Sequence, residues 1–344
     1  MSLGRRQFAQ LLAAGAGSLG IAAAAANPRP LLRAKRLSPG DTIGLISPAN
    51  ATYERESFEI ATEALQALGF KVKFGQSVRA RYGQFGGTDA QRGSDVNAMF
   101  ADDTVAGIMA MTGGSGCNRI VDKLDYALIA AKPKFFGGFS DLTSLINAIQ
   151  ARTGLVTFHC PMATSEWNEF SLSSFRATVM EGQTPLLRNP SERGDSLVQT
   201  QDRVMTLRPG RARGPLLGGN LAVLASLAGS AYMPDFRGAI LFLEDVNEYI
   251  YRVDRMLSTL RLCGALDGLA GVVIGKFSKC EPGDGFGTLT LDEVFDDYFL
   301  PLNVPVFRGA MIGHIKRKHT LAIGAPVEMD ALAGTLQLLQ PAVI

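Results

Sequence analysis

The chain is sparing with the residues that most often announce chemistry. Its 344 residues include four cysteines, three histidines and one tryptophan. The cysteines, Cys117, Cys160, Cys263 and Cys280, form no C-x-x-C pair, which argues against a zinc or dithiol-redox motif. A core this large needs no disulfide staples, so free buried thiols are expected. "GGSGCNR" lacks the third glycine of a dinucleotide fingerprint, and no G-K-[ST] occurs, so no nucleotide cofactor is expected. No metal site is evident either. After residue 26 no long apolar run remains, which predicts no stable membrane insertion once the leader is removed.

Charge of one sign is also missing. The first 26 residues hold two arginines and no acid, so the remaining chain balances 32 basic against 32 acidic residues. A nucleic-acid partner, which asks for a basic excess or stripe, is not expected. The leader itself, "GRRQFAQLLAAGAGSLGIAAAAA", pairs Arg5 and Arg6 with Phe8 two positions on and closes on Ala24 and Ala26. That pattern predicts a cleaved export signal of the twin-arginine (Tat) type and a periplasmic mature protein. Gln10 and the many glycines and alanines make it a weak membrane anchor.

What is present is an alternation of apolar strand-like runs and helix-like periods. Strands are expected at 41–49, 71–78, 106–112, 134–139 and 155–162, with helices at 54–70, 89–101 and 141–152 between them. Such alternation predicts a parallel sheet with helices on its faces. Residues 163–210 are more polar. From Gly214 a second unit follows, with strands near 239–246 and 269–277, a helix between them, and short strands with turns at the end. The expected fold is α/β: a Rossmann-like N-terminal domain over 41–165, a connecting segment over 166–210 and a second domain over 211–344.

Ligands of parallel sheets gather at the carboxyl ends of the strands. Two loops there stand out, Thr112-Gly113-Gly114-Ser115-Gly116 and Gly138-Phe139-Ser140-Asp141. The second is a strand–turn–helix with serine at the tight point, as in a nucleophile elbow, although Leu142 stands where that motif has glycine. Ser140 or Asp141 would serve equally as a helix cap. A serine nucleophile needs a base. His159 lies inside a strand, opposite in direction to Cys160. His319 follows a basic run and is expected near the surface. His314, in a glycine-marked turn, is the best candidate. Glu244 ends an apolar strand, where a carboxylate is costly without a partner; an ion pair with Arg252 or Arg255 would also account for it. Cys117 is a rival nucleophile, since a nearby helix N-terminus would lower its pKa.

Seven blocks, taken in order, carry a family resemblance: "TGGSGCNRIVDKLDY", "PKFFGGFSDLTSL", "TFHCPM", "LLGGNLAVLASLAGS", "LFLEDVNEYIYRVDRML", "GVVIGKF" and "GAMIGH". From about residue 41 onward the chain resembles the LD-carboxypeptidases. These are serine peptidases typified by muramoyltetrapeptide carboxypeptidase, and they include the microcin C immunity peptidase. The resemblance implies a β-rich α+β C-terminal domain with the active site between the two domains, a Ser140–Glu244–His314 triad, an oxyanion hole from the backbone N–H groups of Gly114 and Asp141, and a homodimer. It implies a murein peptide as substrate, with release of a terminal D-alanine. A related amide or acyl-sulfamate hydrolase, and a non-catalytic murein binder, are the alternatives. The chain departs from the family pattern at Thr112 and Ser115, where arginine and tyrosine are common, and at Cys160, where glycine is.

Overall fold

The computed structural model describes residues 30–283 and 287–344; the expected export leader lies outside them. The first apolar runs form β1 (Thr42–Ile46), β2 (Lys71–Phe74), β3 (Gly107–Ala110), β4 (Phe135–Gly138) and β5 (Thr157–His159). All five are parallel, in spatial order β2-β1-β3-β4-β5. β3, β4 and β5 are buried along their whole length, as strands covered on both faces must be. Helices α1 (Arg55–Ala67), α2 (Asp89–Ala101), α3 (Tyr126–Ala131) and α4 (Thr143–Thr153) make the connections. Thr88 and Gln91 close α2 with a capping box. The strand order reverses between β1 and β3, and the loops leaving those strands open the crevice in which α/β sheets bind ligands.

The second half builds a mixed sheet. After α5 (Glu169–Phe175) come β6 (Leu186–Leu187), β7 (Met205–Arg208) and β8 (Arg211–Asn220), then α6 (Leu221–Ala225), β9 (Ile240–Val246), α7 (Ile250–Leu262) and β10 (Gly271–Ser278). α8 (Leu291–Phe299), β11 (Val306–Arg308), β12 (Leu321–Ile323), β13 (Pro326–Asp330) and β14 (Thr335–Leu338) complete the chain. Eight strands run in the order β6-β14-β13-β8-β9-β10-β11-β7. β12 leaves its neighbours in sequence and pairs antiparallel with β5, extending the first sheet. The stretch 166–210, expected as a connector, supplies both edge strands of the second sheet, β6 and β7. The fold is thus α/β with two sheets, as the alternation of runs implies. α3 and α8 were not anticipated, although Thr290 and Glu293 open α8 with a capping box.

All four cysteines are free. Cys117 and Cys160 are buried as expected, whereas Cys263 is exposed at the end of α7 and Cys280 is half-buried. Among the described residues no helix is long and apolar enough to cross a membrane.

One charged residue organises the loops at the head of the first sheet. Arg92 on α2 is 1% exposed. Its guanidinium donates to the carbonyls of Pro48 and of Gly116, the latter at 2.9 Å, and to Asp89 at 2.6 Å. It therefore ties the loop after β1 to the glycine loop after β3. Arg92→Ala strips these bonds; Asp89 keeps Arg119, but the Pro48 and Gly116 carbonyls lose their donor. A loss of about 2–4 kcal/mol is expected from the lost charge-assisted bonds and the unpaired carbonyls. Urea denaturation of the variant checks it; a change under about 1 kcal/mol would refute the role.

Candidate active site

Ser140 follows β4 and begins a single 3-10 turn, Ser140–Leu142, that runs into α4. Its φ is +64°, in the left-handed region. A non-glycine residue held there costs on the order of 1–3 kcal/mol, so the surroundings must enforce it. The turn thrusts the side chain into a cleft instead of along the sheet. Neither Ser140 nor Asp141 caps α4, as one expectation had it. Asp141 instead turns back and accepts the N–H of Cys117 at 2.7 Å. Burial pushes the Asp141 carboxyl above its ordinary range.

Three side chains meet at Ser140. His314 Nε2 lies 3.0 Å from Ser140 Oγ, and His314 Nδ1 lies 2.7 Å from Glu244 Oε2. With the Nδ1 proton donated to the carboxylate, Nε2 accepts the Ser140 hydroxyl. Glu244, on β9, is wholly buried, while the His314 side chain is one-fifth exposed. Glu244 pairs with neither Arg252 nor Arg255; Arg252 reaches Glu248 instead. Gly313 makes the approach of the histidine loop possible. Its φ is +118°, and a Cβ there would lie 2.8 Å from Glu244 Oε2.

The relative placement of serine and glutamate has its own cause. Thr143 Oγ1, on the helix that follows Ser140, accepts the N–H of Asn220 at 3.0 Å. Asn147, one turn on, donates to the Gly218 carbonyl at 2.8 Å. Gly218 and Asn220 belong to β8, and Asn220 sits in register with Glu244 on β9. Asn220 also donates to Asp245 at 2.9 Å, and Asp245 accepts the Ala222 N–H at 3.0 Å, fixing the start of α6. All of these groups are buried or nearly so, where an unmade bond costs about 1–3 kcal/mol.

The cleft in front of Ser140 has a volume of about 620 Å³ and is lined by Gly113, Gly114, Met162, His314 and Lys318, with Glu166 and Lys316 paired at its rim, 3.2 Å apart. Gly114, at φ +123°, packs so tightly on Asn50 that a Cβ would lie 2.1 Å from the Asn50 amide carbon. Asn50 in turn accepts the Ser115 N–H at 3.0 Å, holding the loop. The N–H of Gly114 donates to no described group, and the N–H of Asp141 lies in the opening turn, where helical partners are lacking.

Two expectations are corrected. Cys117 is no activated thiol: burial, with Asp141 beside it, holds its pKa well above the ordinary value. The helix N-terminus is outweighed by desolvation. His319 is buried, not superficial; its Nε2 lies 3.1 Å from the Arg188 carbonyl. Burial lowers its pKa to about 4. His159 is fully buried among rings, 5.8 Å from Phe139 and 5.3 Å from Phe242 between centroids. Sequence reasoning missed Lys318, read only as part of a basic run. No local signal marked it: in "IKRKHT" the step from exposed Lys316 to buried Lys318, His319 and Thr320 is made by the fold.

A hydroxyl, an imidazole and a buried carboxylate in one hydrogen-bonded line, on an α/β sheet, place the protein in the class of serine hydrolases by architecture. Comparison with known proteins goes further. Residues 43–160 match the LD-carboxypeptidase N-terminal domain and residues 213–329 the LD-carboxypeptidase C-terminal domain. A Bacillus subtilis protein named "probable murein peptide carboxypeptidase" is 35% identical over 301 residues, 88% of this chain and 92% of that one. The murein tetrapeptide carboxypeptidase of Pseudomonas aeruginosa is 30% identical over 79% of this chain and 87% of its own. A structure of MccF in complex with glutamyl sulfamoyl guanosine superposes with a TM-score of 0.81 at 27% identity, covering 92% of this chain and all of that one. Muramoyltetrapeptide carboxypeptidase from Oxalobacter formigenes gives 0.73 at 29%, covering 86% and 97%. The chain belongs to the LD-carboxypeptidase family of serine peptidases, and it is a carboxypeptidase.

The buried histidines set a pH response that can be isolated. Neither ring nitrogen of His159 has a hydrogen-bond partner, and burial drops its pKa to about 4. The unfolded chain takes up that proton near pH 6.5 and the folded one only near 4. Stability present above about 6.5 is therefore lost as pH falls toward 4. Asp245 acts oppositely, since burial raises it to about 6 and the folded state is protonated first. Comparing wild type with His159→Leu separates the two. The variant should lose less stability than wild type between pH 6.5 and 4 by urea denaturation; parallel curves would contradict a neutral, desolvated His159.

Proposed function

We propose that this protein is an exported LD-carboxypeptidase that removes the terminal D-alanine from murein tetrapeptides through a Ser140–His314–Glu244 triad. The observation that carries this reading is the unbroken hydrogen-bonded line from the buried Glu244 carboxylate through His314 to a strained serine hydroxyl on the cleft. The murein-directed names of the relatives support the substrate, and the paired arginines of the leader support twin-arginine export to the periplasm. A homodimer and domain limits near 41–165, 166–210 and 211–344 are part of the same proposal.

In this mechanism His314 Nε2 takes the Ser140 proton as Oγ attacks the scissile carbonyl. Glu244 holds the ring in the tautomer that leaves Nε2 free and stabilises the imidazolium that forms. The N–H groups of Gly114 and Asp141 receive the oxyanion, worth about 2.7–4 kcal/mol for each donor of this kind. Imidazolium then protonates the departing amine, D-alanine leaves, and an acyl-serine remains. A water, deprotonated by the same imidazole, attacks the ester, and the proton returns to Oγ as the peptide is released. All the groups this scheme requires are on the chain.

The structural likeness to an immunity peptidase bound to a glutamyl sulfamoyl nucleoside makes acyl-sulfamates the second substrate class to assay. Mature protein should release D-alanine from a murein tetrapeptide in EDTA. Ser140→Ala should cut the rate by ~10³ or more while leaving the urea midpoint within the range of a surface change. A serine-reactive fluorophosphonate should label wild type and spare the variant. Full turnover by Ser140→Ala would eliminate the mechanism; labelling without D-alanine release would move the substrate to the acyl-sulfamate class.

A further inference from the structure

The cleft contains a charge that the triad does not use. Lys318 lies four residues beyond His314 and lines the same cleft as Ser140. It is 6% exposed. Its Nζ sits 3.9 Å from the centre of the Phe139 ring. Phe139 directly precedes Ser140, and the same ring meets the His314 imidazole at 5.0 Å between centroids. One aromatic ring therefore touches both the Lys318 ammonium and the base that serves the serine.

This ammonium has no hydrogen bond or ion pair with any described residue, unlike its neighbours. Lys316 pairs with Glu166, and Arg317 with Asp202. The groups around Lys318 supply no bonded counter-ion, although the Glu244 carboxylate attracts it at longer range. Glu244 on β9 is engaged by His314, Glu166 is taken by Lys316, and His159 and Cys160 beside β5 are buried and neutral. Burial lowers the Lys318 pKa to about 8 against the pull of Glu244, so the charge persists at neutral pH without a bonded partner. A desolvated cation facing a cleft is stabilised by an anion that arrives with the ligand.

The substrate of a carboxypeptidase carries such an anion at a fixed place. Its C-terminal carboxylate stands one residue beyond the scissile carbonyl, about 3–4 Å from it by covalent geometry. We propose that Lys318 is the specificity residue that receives the C-terminal carboxylate of the substrate, and so confines cleavage to the last residue of the peptide. The inference rests on the carboxypeptidase reading above and adds to it the group that distinguishes a free terminus from an internal bond.

The test compares two substrates, a murein tetrapeptide ending in D-alanine and the same peptide ending in D-alaninamide. Wild type should favour the acid by about 100-fold in kcat/KM, the loss expected when a charge-assisted contact is removed. In Lys318→Met the acid-to-amide ratio should fall close to one, and Lys318→Arg should restore part of it. An unchanged ratio in Lys318→Met would overturn the assignment. Should that variant fail to fold, wild type alone decides. Its acid-to-amide ratio should decline above pH about 8, because kcat/KM reports the free enzyme and the ammonium loses its proton there. A ratio flat to pH 10 would overturn the assignment equally. If wild type hydrolyses neither peptide, it is the carboxypeptidase reading of the site that fails, a result distinct from either of these.

Discussion

The site depends on a contact between two sheets. The serine is carried by the first and the glutamate by the second, and nothing in the local chain brings them within reach. The join is made by α4, whose Thr143 and Asn147 bond to the β8 backbone beside Glu244. These bonds are buried and polar, so they have one geometry and a high cost of leaving it. An apolar interface of equal area would hold the sheets together but permit them to slide. Chemistry that needs a base within hydrogen-bonding distance of a hydroxyl does not tolerate sliding.

Strain and burial are distributed around that join. Ser140 is kept at a positive φ because β4 ends abruptly and α4 is already anchored. Glu244 is bonded in the core by His314, and the histidine loop reaches it only because Gly313 has no side chain. Asp141 spends its carboxylate on the Cys117 backbone and not on the helix it begins, which draws the glycine loop toward the serine.

Much of this was legible in the sequence. The buried runs at 106–112 and 239–246 announced strands, and Gly138-Phe139-Ser140 announced a strand–turn–helix, because period and turn chemistry are local properties. Ser140, His314 and Glu244 were singled out on residue type and position, and the structure does bring them together. What was not legible depended on tertiary context. His319 looks superficial behind Lys316 and Arg317 but is carried inward when β12 joins the first sheet. Cys117 looks activated by a helix terminus, yet desolvation dominates once the loop closes over it. Lys318 reads as a surface charge until the fold covers it.

The placement of β12 bears on how the molecule comes to be. The first sheet looks like the product of residues 41–165, yet its β5 edge is covered by Leu321–Ile323, some twenty residues from the C-terminus. While the polypeptide is being synthesised, that edge stays open with its amide and carbonyl groups unpaired until residues 321–323 have been made. Open edges recruit other strands. The N-terminal sheet is therefore completed late, and β12 acts as the seal on a sheet begun nearly three hundred residues earlier.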